Sequence, residues 1–332
     1  MKQKSGTASP PQIPVPPHPQ HRRESLPSAQ PKPVDEDPQV ADRVQLILDN
    51  FSYKQADRDV NFLNTDALRG VRLQIDYQKA ELLLEQHNIK HTIVVFGSTR
   101  IAEPGAARAR EQKAREQLAL EPGNAEFQDR VAIAERITAK SHFYDMARDF
   151  ARMVGKASQR LADGELAIMT GGGPGLMEAA NRGAWDVGSK SIGLNISLPH
   201  EQFPNPYITP GLCFQFHYFA LRKLHFLLRT KALVAFPGGY GTFDELFETL
   251  TLVQTRKIKP VPIILVGRQY WQRVFDLDFM IEEGVIDAED RDLFWYAETA
   301  QEIWDGIVAW HDLNGEPLLP EAALRADSVD NI

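Results

Sequence analysis

Hydrophobic and polar positions divide this chain of 332 residues into three stretches and a short tail. In the first, ten of the 22 prolines fall within the opening 38 residues among Ser, Gln, His and Lys, with almost nothing apolar to bury. Such a composition cannot offset the entropy of ordering a chain, so residues 1–39 are expected to form a disordered arm. In the second, residues 40–90, apolar side chains recur at helical spacing: Val44, Leu46, Ile47 and Leu48, then Leu68, Val71, Leu73 and Ile75, then Leu82, Leu83 and Leu84. That pattern predicts helices packed on the outside of a larger core. In the third, residues 91–312, short β-branched and aliphatic runs alternate with helical patterns. Strands are expected from His91 to Phe96, Leu166 to Thr170, Lys190 to Ile196, Leu212 to Phe216, Ala232 to Phe236 and Val261 to Val266. Between two of these strands, the apolar residues of Phe219-Ala220-Leu221-Arg222-Lys223-Leu224-His225 are expected to face the core. Residues 313–332 form the tail. Parallel strands need crossovers and bury both their faces, so the alternation predicts an α/β fold: a Rossmann-like doubly wound parallel sheet with helices on both faces. The first crossover is unusually long. Ala106 to Leu120 reads as a helix, Glu121-Pro122-Gly123-Asn124 breaks it, and Phe127 to Leu161 resumes one long helical pattern whose charges fit a solvated face.

Three predicted strand ends carry small residues where such sheets bind ligands. The first runs into Gly97-Ser98-Thr99-Arg100, making Gly97, Ser98 and Arg100 phosphate or sugar candidates. The second runs into Gly171-Gly172-Gly173-Pro174-Gly175-Leu176-Met177-Glu178, a phosphate-sized loop with Gly172 and Gly173 at its centre. The most informative is Pro237-Gly238-Gly239-Tyr240-Gly241-Thr242-Phe243-Asp244-Glu245, between a buried strand and a helical pattern at Phe243, Leu246, Phe247 and Leu250. Glycines there let a ligand approach unpaired backbone amides, and the helix N-terminus favours an anion. Thr242 is expected to cap that helix and donate to a phosphate, and Glu245 is held one turn inside. By the topological rule, the glycine loops can face one crevice.

Composition narrows the ligand. A net charge of -8 and a pI near 5.6 argue against a nucleic-acid surface, which requires clustered basic residues. No apolar run reaches the roughly 18 residues that span a bilayer, and no hydrophobic leader is apparent, so a cytoplasmic protein with a small-molecule ligand is expected. Cys213 is the only cysteine; it is expected to be a small buried apolar residue, and no multi-cysteine metal site is possible.

PGGYGTFDE after a strand, the Arg222-Lys223 pair about 15 residues before it and the GGGPGLMEAAN loop upstream together resemble the LOG family, the cytokinin riboside 5′-monophosphate phosphoribohydrolases, many of which carry the label lysine decarboxylase-like. The resemblance spans His91 to Asp312. It implies a Rossmann-like homodimer or larger homo-oligomer, without metal or organic cofactor, that cleaves the N-glycosidic bond of a nucleoside 5′-monophosphate to free base and ribose 5-phosphate. It also implies substrate contacts on Lys223, Gly239, Tyr240, Gly241, Thr242 and Asp244, with Gly238 in the same loop, and a catalytic pair of Arg222 and Glu245. Glu201, after Leu198-Pro199-His200, resembles the family's acidic position, and Thr251 its threonine beyond the motif glutamate. Short plant-type members read GGGSxGLMG and MHxRK where this chain has Gly173-Pro174-Gly175-Leu176-Met177-Glu178 and Tyr218-Phe219-Ala220-Leu221-Arg222-Lys223. The chain resembles a longer bacterial type, for which AMP is as open a substrate as a cytokinin nucleotide.

Glycosidic cleavage passes through an oxocarbenium-like state, so the site must hold ribose phosphate, stabilise charge at the anomeric carbon and position a water. Glu245 fits the last two tasks, with Arg222 fixing oxygens and keeping Glu245 ionised. Glu178 is open between touching the ligand and capping its own helix. A pyridoxal decarboxylase needs an imine lysine that no pattern here singles out. The alternative of a different class is a catalytically silent nucleotide-binding or carrier protein of the same fold.

Overall fold

A computed structural model describes residues 13–161, 165–199 and 203–319. Their contacts group into two units divided between Leu68 and Arg69. In the first, residues 13–39 carry one turn of 3-10 helix, Pro27–Ala29, while residues 1–12 of the proline-rich arm lie outside the described residues. Two helices follow, α1 (Val40–Leu48) and α2 (Val60–Leu63). Asp59 caps α2 by accepting from the amides of Asn61 and Phe62, satisfying donors that a helix start leaves unpaired.

The second unit opens with α3 (Arg69–Gln86) and then alternates: β1 (His91–Phe96), α4 (Pro104–Leu120), α5 (Ala125–Lys140), α6 (His142–Arg160), β2 (Leu166–Thr170), α7 (Leu176–Asp186), β3 (Ser191–Ile196), β4 (Cys213–Phe216), α8 (Phe219–Leu228), β5 (Thr230–Ala235), α9 (Tyr240–Gln254), β6 (Ile263–Val266), α10 (Arg268–Val274), α11 (Leu277–Glu282), β7 (Trp295–Ala297) and α12 (Ala300–Leu313). The seven strands form one sheet in the order β4-β3-β2-β1-β5-β6-β7, and every neighbouring pair is parallel. Successive strand side chains point to opposite faces, and both faces are buried. Ile93, Val95, Ile168 and Val234 enter a core shared with α6, α7 and α12. Val94, Phe96, Met169, Leu233 and Ala235 enter the opposite core, shared with α3, α8 and α9. The expected fold is therefore observed. From β1 the chain winds outward through β2, β3 and β4, then returns to the other side of β1 with β5. The switch point lies where β1 and β5 end together, with Ile93↔Ala232 and Phe96↔Ala235 in register.

Four local expectations are corrected. The long helix from Phe127 to Leu161 is two, broken at Ser141, whose hydroxyl and amide both donate to the Thr138 carbonyl; a hydroxyl that bonds its own backbone competes with helix continuation. The seventh strand, β7, was not expected; Trp295–Ala297 is three residues long, too short to register as a periodic run. Cys213 is exposed because β4 is an edge strand whose residues alternate between exposed and buried. On α8 the apolar residues do not all face the core: Phe219, Leu224 and Leu228 are exposed, while Arg222 points inward alongside buried His225 and Phe226.

Helix α3 does more than cover the sheet. From α3, Asp76 accepts the amides of His217 and Tyr218 just before α8. At the other end of α8, Arg229 grips Glu81 with two nitrogens, at 2.5 and 2.8 Å, and His225 Nε2 lies 3.2 Å from the Tyr77 carbonyl oxygen. Two-point guanidinium–carboxylate pairing fixes direction as well as distance. Both ends of the helix that carries Arg222 are thus tied to α3.

Candidate active site

The β1 and β5 ends are joined beyond the sheet, where the Ser98 amide donates to the Pro237 carbonyl at 3.0 Å. A cavity of about 600 Å³ opens there. Its walls bring together Gly97 and Ser98 from the first loop, Gly238, Gly239, Tyr240, Gly241, Thr242 and Asp244 from the β5–α9 junction, and Arg222 with Glu245.

The β5–α9 junction is shaped to leave donors free. Gly239 is the N-cap of α9, with no side-chain cap; Thr242 sits inside the helix, contrary to expectation, and its amide donates to the Gly239 carbonyl. Among the described residues, the amides of Gly239, Tyr240 and Gly241 donate to no carbonyl. The Gly238 carbonyl is turned away by the Tyr270 hydroxyl, which donates to it. A side chain at Gly238 would put its Cβ 2.0 Å from the Thr242 hydroxyl, so only glycine lets the turn close on the helix. Free amides at a helix N-terminus form an anion cradle.

Glu245 lies one turn into α9 and is 6% exposed. Its carboxyl is pushed up to about 7, chiefly by burial, which outweighs the opposing attraction of Lys223 and Arg222. The expectation that Arg222 keeps Glu245 fully ionised is corrected: Arg222 Nη1 stands 3.9 Å from Glu245 Oε1, too far for a hydrogen bond that would overcome desolvation. Arg222 is aimed by other contacts. Its Nε donates to the Leu194 carbonyl at the end of β3 at 2.7 Å, and its guanidinium sits 5.1 Å from the Phe226 ring centre. Burial lowers its own pKa.

The glycines of the second loop support this arrangement without lining the cavity. A Cβ on Gly171 would fall 2.7 Å from Arg222 Nη2, so that glycine makes room for the guanidinium. Gly172 and Gly173 are buried, their carbonyls taken by the amide and side-chain nitrogens of Asn205. Gly175, at φ +73°, lets Leu176 donate to the Ser98 carbonyl at 3.1 Å. Its Cβ would lie 2.4 Å from that same oxygen. Gly175→Ala is therefore expected to lower stability by about 2–4 kcal/mol, from left-handed strain plus the backbone clash; urea unfolding monitored by circular dichroism measures it, and a midpoint equal to wild type contradicts it.

Other predicted residues lie apart. Glu178 accepts from the Tyr144 hydroxyl at 2.8 Å, between α6 and α7. Lys223 is tied to Asp244 and Glu248, each at 2.8 Å, on the outer side of α8 and α9. Thr251 donates to the Phe247 carbonyl on that outer side. Glu201 lies outside the described residues. The cavity also holds residues that sequence reasoning did not single out: Ile101, Met177 and Phe219, and, from the end of α5, Ile137 and Lys140. Lys140 belongs to the crossover whose charges fit a solvated face, yet it borders the cavity.

A family model described as "Possible lysine decarboxylase" matches residues 177–307. A rice protein (Oryza sativa subsp. japonica) named "Probable cytokinin riboside 5'-monophosphate phosphoribohydrolase LOGL3" is 31% identical over 179 residues, 52% of this chain and 81% of the relative. The chain belongs to the LOG family. Its similarity to "Cytokinin riboside 5'-monophosphate phosphoribohydrolase LOG3" of Arabidopsis thaliana is 30% over 168 residues, covering 49% of this chain and 74% of that one. Among solved structures, TM1055 matches with a TM-score of 0.40 at 20% identity, over 65% of this chain and 98% of its own. The Moco carrier protein of Chlamydomonas reinhardtii matches with a TM-score of 0.37 at 17% identity, over 66% and 95%. The LOG match includes α8 and α9, the two helices that carry Arg222 and Glu245. Among the described residues, no helix is long and apolar enough to cross a membrane.

Proposed function

We propose that this LOG-family chain hydrolyses the N-glycosidic bond of nucleoside 5′-monophosphates, AMP or a cytokinin riboside monophosphate, releasing free base and ribose 5-phosphate. The observation that carries the reading is a buried carboxyl, Glu245, in the same cavity as the free amides of α9 and the Arg222 guanidinium. The amides take the phosphate, which places the sugar one helical turn away, beside Glu245. As the bond from C1′ to the base nitrogen lengthens, its electron pair leaves with the base and positive charge grows on the sugar. An ionised Glu245 stabilises that charge and accepts a proton from the water that attacks C1′. The departing base takes up a proton from solvent. Arg222 holds ribose or phosphate oxygens with the guanidinium nitrogens that Leu194 leaves free. The names of the rice and Arabidopsis relatives agree with this reaction.

The deciding experiment incubates purified protein with AMP, GMP, CMP and isopentenyl-AMP and chromatographs for free base. Release of base supports the reading, and the favoured base identifies the substrate. Binding of all four without turnover overturns it in favour of a nucleotide carrier.

The raised carboxyl fixes the pH dependence. Glu245 must be ionised to work, so kcat/KM is expected to rise with pH around a midpoint near 7 and level off above about 8. A glutamate at its usual value would give a flat profile over that range. Rates measured from pH 5.5 to 9 distinguish the two.

A further inference from the structure

We propose that Lys140, carried to the cavity by α5, forms with Arg100 a cationic wall that grips the substrate's phosphate opposite the amides of α9. The inference deepens the proposed function and rests on it for the identity of the nucleotide, though not for the presence of an anion. Four observations carry it. Both residues line the cavity together with Gly238–Thr242. Arg100 stands two residues beyond Ser98, whose amide donates to Pro237 immediately before the amide cradle, so Arg100 and the cradle border one opening. Among the described residues neither cation has a carboxylate partner: the Lys140 ammonium donates only to the Arg136 carbonyl of its own helix, at 3.2 Å, and the guanidinium of Arg100 has no partner. Two other cations of the same unit are by contrast neutralised, Lys223 by Asp244 and Glu248 and Arg182 by Glu103. In a chain with net charge -8, two cations without carboxylate partners at the border of one cavity mark where negative charge is brought from outside.

The break at Ser141 makes this possible. Were α5 and α6 one straight helix, Lys140 would continue along a crossover face; ending α5 there sets its last turn, with Ile137 and Lys140 at i and i+3, on the cavity wall. Ile137 and Ile101 supply an aliphatic surround in which a cation–phosphate contact is strengthened. The competing role for Lys140 is to serve the carbonyls at the C-terminus of α5, as its bond to Arg136 does. That role affects helix stability and leaves ligand affinity untouched.

The test measures ribose 5-phosphate binding by calorimetry for wild type, Lys140→Met and Lys140→Arg, alongside turnover of AMP and of adenosine. The expected result is a tenfold or greater loss of ribose 5-phosphate affinity in Lys140→Met, largely restored in Lys140→Arg, with KM for AMP rising in proportion while kcat changes less than threefold. Discrimination of AMP over adenosine should fall by the same factor. Equal ribose 5-phosphate affinity in wild type and Lys140→Met overturns the inference and leaves the proposed hydrolysis standing. Absence of ribose 5-phosphate binding to wild type also overturns it. Lys140-dependent binding without base release from any nucleotide sustains the inference and removes the proposed function. Melting temperatures of the three proteins separate loss of ligand contact from loss of fold.

Discussion

Glu245→Gln is expected to lower base release by about 10³-fold and, at pH 8, to make the protein more stable than wild type. The loss follows from the mechanism: glutamine is nearly isosteric but neither offsets a developing cation nor accepts a proton from water, and losing such a group costs about 10²–10⁴-fold, roles that act as a unit not multiplying. The gain follows from the direction of the pKa shift. Glu245 is raised to about 7 in the folded chain against an ordinary 4.5, so the fold favours its protonated form. The stability contributed is complete below pH 4.5 and is lost as pH rises through 7. Above that, the ionised carboxylate costs up to about 3 kcal/mol, because 2.5 pKa units correspond to roughly that amount. Glutamine carries no charge to desolvate and escapes the cost. Melting curves at pH 5 and pH 8 check the claim: the variant should match wild type at the lower pH and melt several degrees higher at the upper. A variant that retains activity removes Glu245 from the chemistry; one that is less stable at pH 8 removes the account of its burial.

Arg222→Ala is expected to reduce kcat/KM by about 10²–10³-fold, the scale for deleting one aimed cationic donor from a sheltered site. It should also move the pH midpoint. Arg222 is one of the two cations that pull the Glu245 carboxyl down, so its removal lets burial act less opposed and shifts the rising limb above 7. Steady-state rates from pH 6 to 9.5 read both effects, and a midpoint that stays put or falls contradicts the coupling. Arg222→Lys is not a conservative replacement, because one ammonium cannot donate to Leu194 while presenting a planar pair of nitrogens into the cavity.

Much of this was legible in the residues. Leu166–Thr170 was read to the residue because a continuous apolar run bounded by polar and glycine positions has one reading in a parallel sheet. The β5–α9 junction was legible because Gly238, Gly239 and Gly241 fall where a strand's period gives way to a helix's. What escaped depends on contacts between segments distant along the chain. The orientation of α8 was reversed in part: its apolar residues suggested an inward Leu224, but the tethers from Asp76 and Glu81 turn Arg222 inward instead. The raised carboxyl of Glu245 arises from neighbours that fold over it, and no local pattern encodes that. Lys140 looked like one more charge on a solvated helix, and only the break at Ser141 sets it on the cavity wall. The second glycine loop reads as a ligand cradle; what the residues alone do not reveal is that Gly171 leaves a hollow for the guanidinium, which depends on which neighbour fills the space left by a missing Cβ.

The tie between α3 and α8 bears on how fragments of this chain should be judged. A polypeptide starting at His91 would retain every glycine turn and both Arg222 and Glu245, yet it would lack the splint that immobilises the helix bearing the guanidinium. Signature residues alone are thus a poor gauge of competence, since aim is supplied by a segment upstream of all of them.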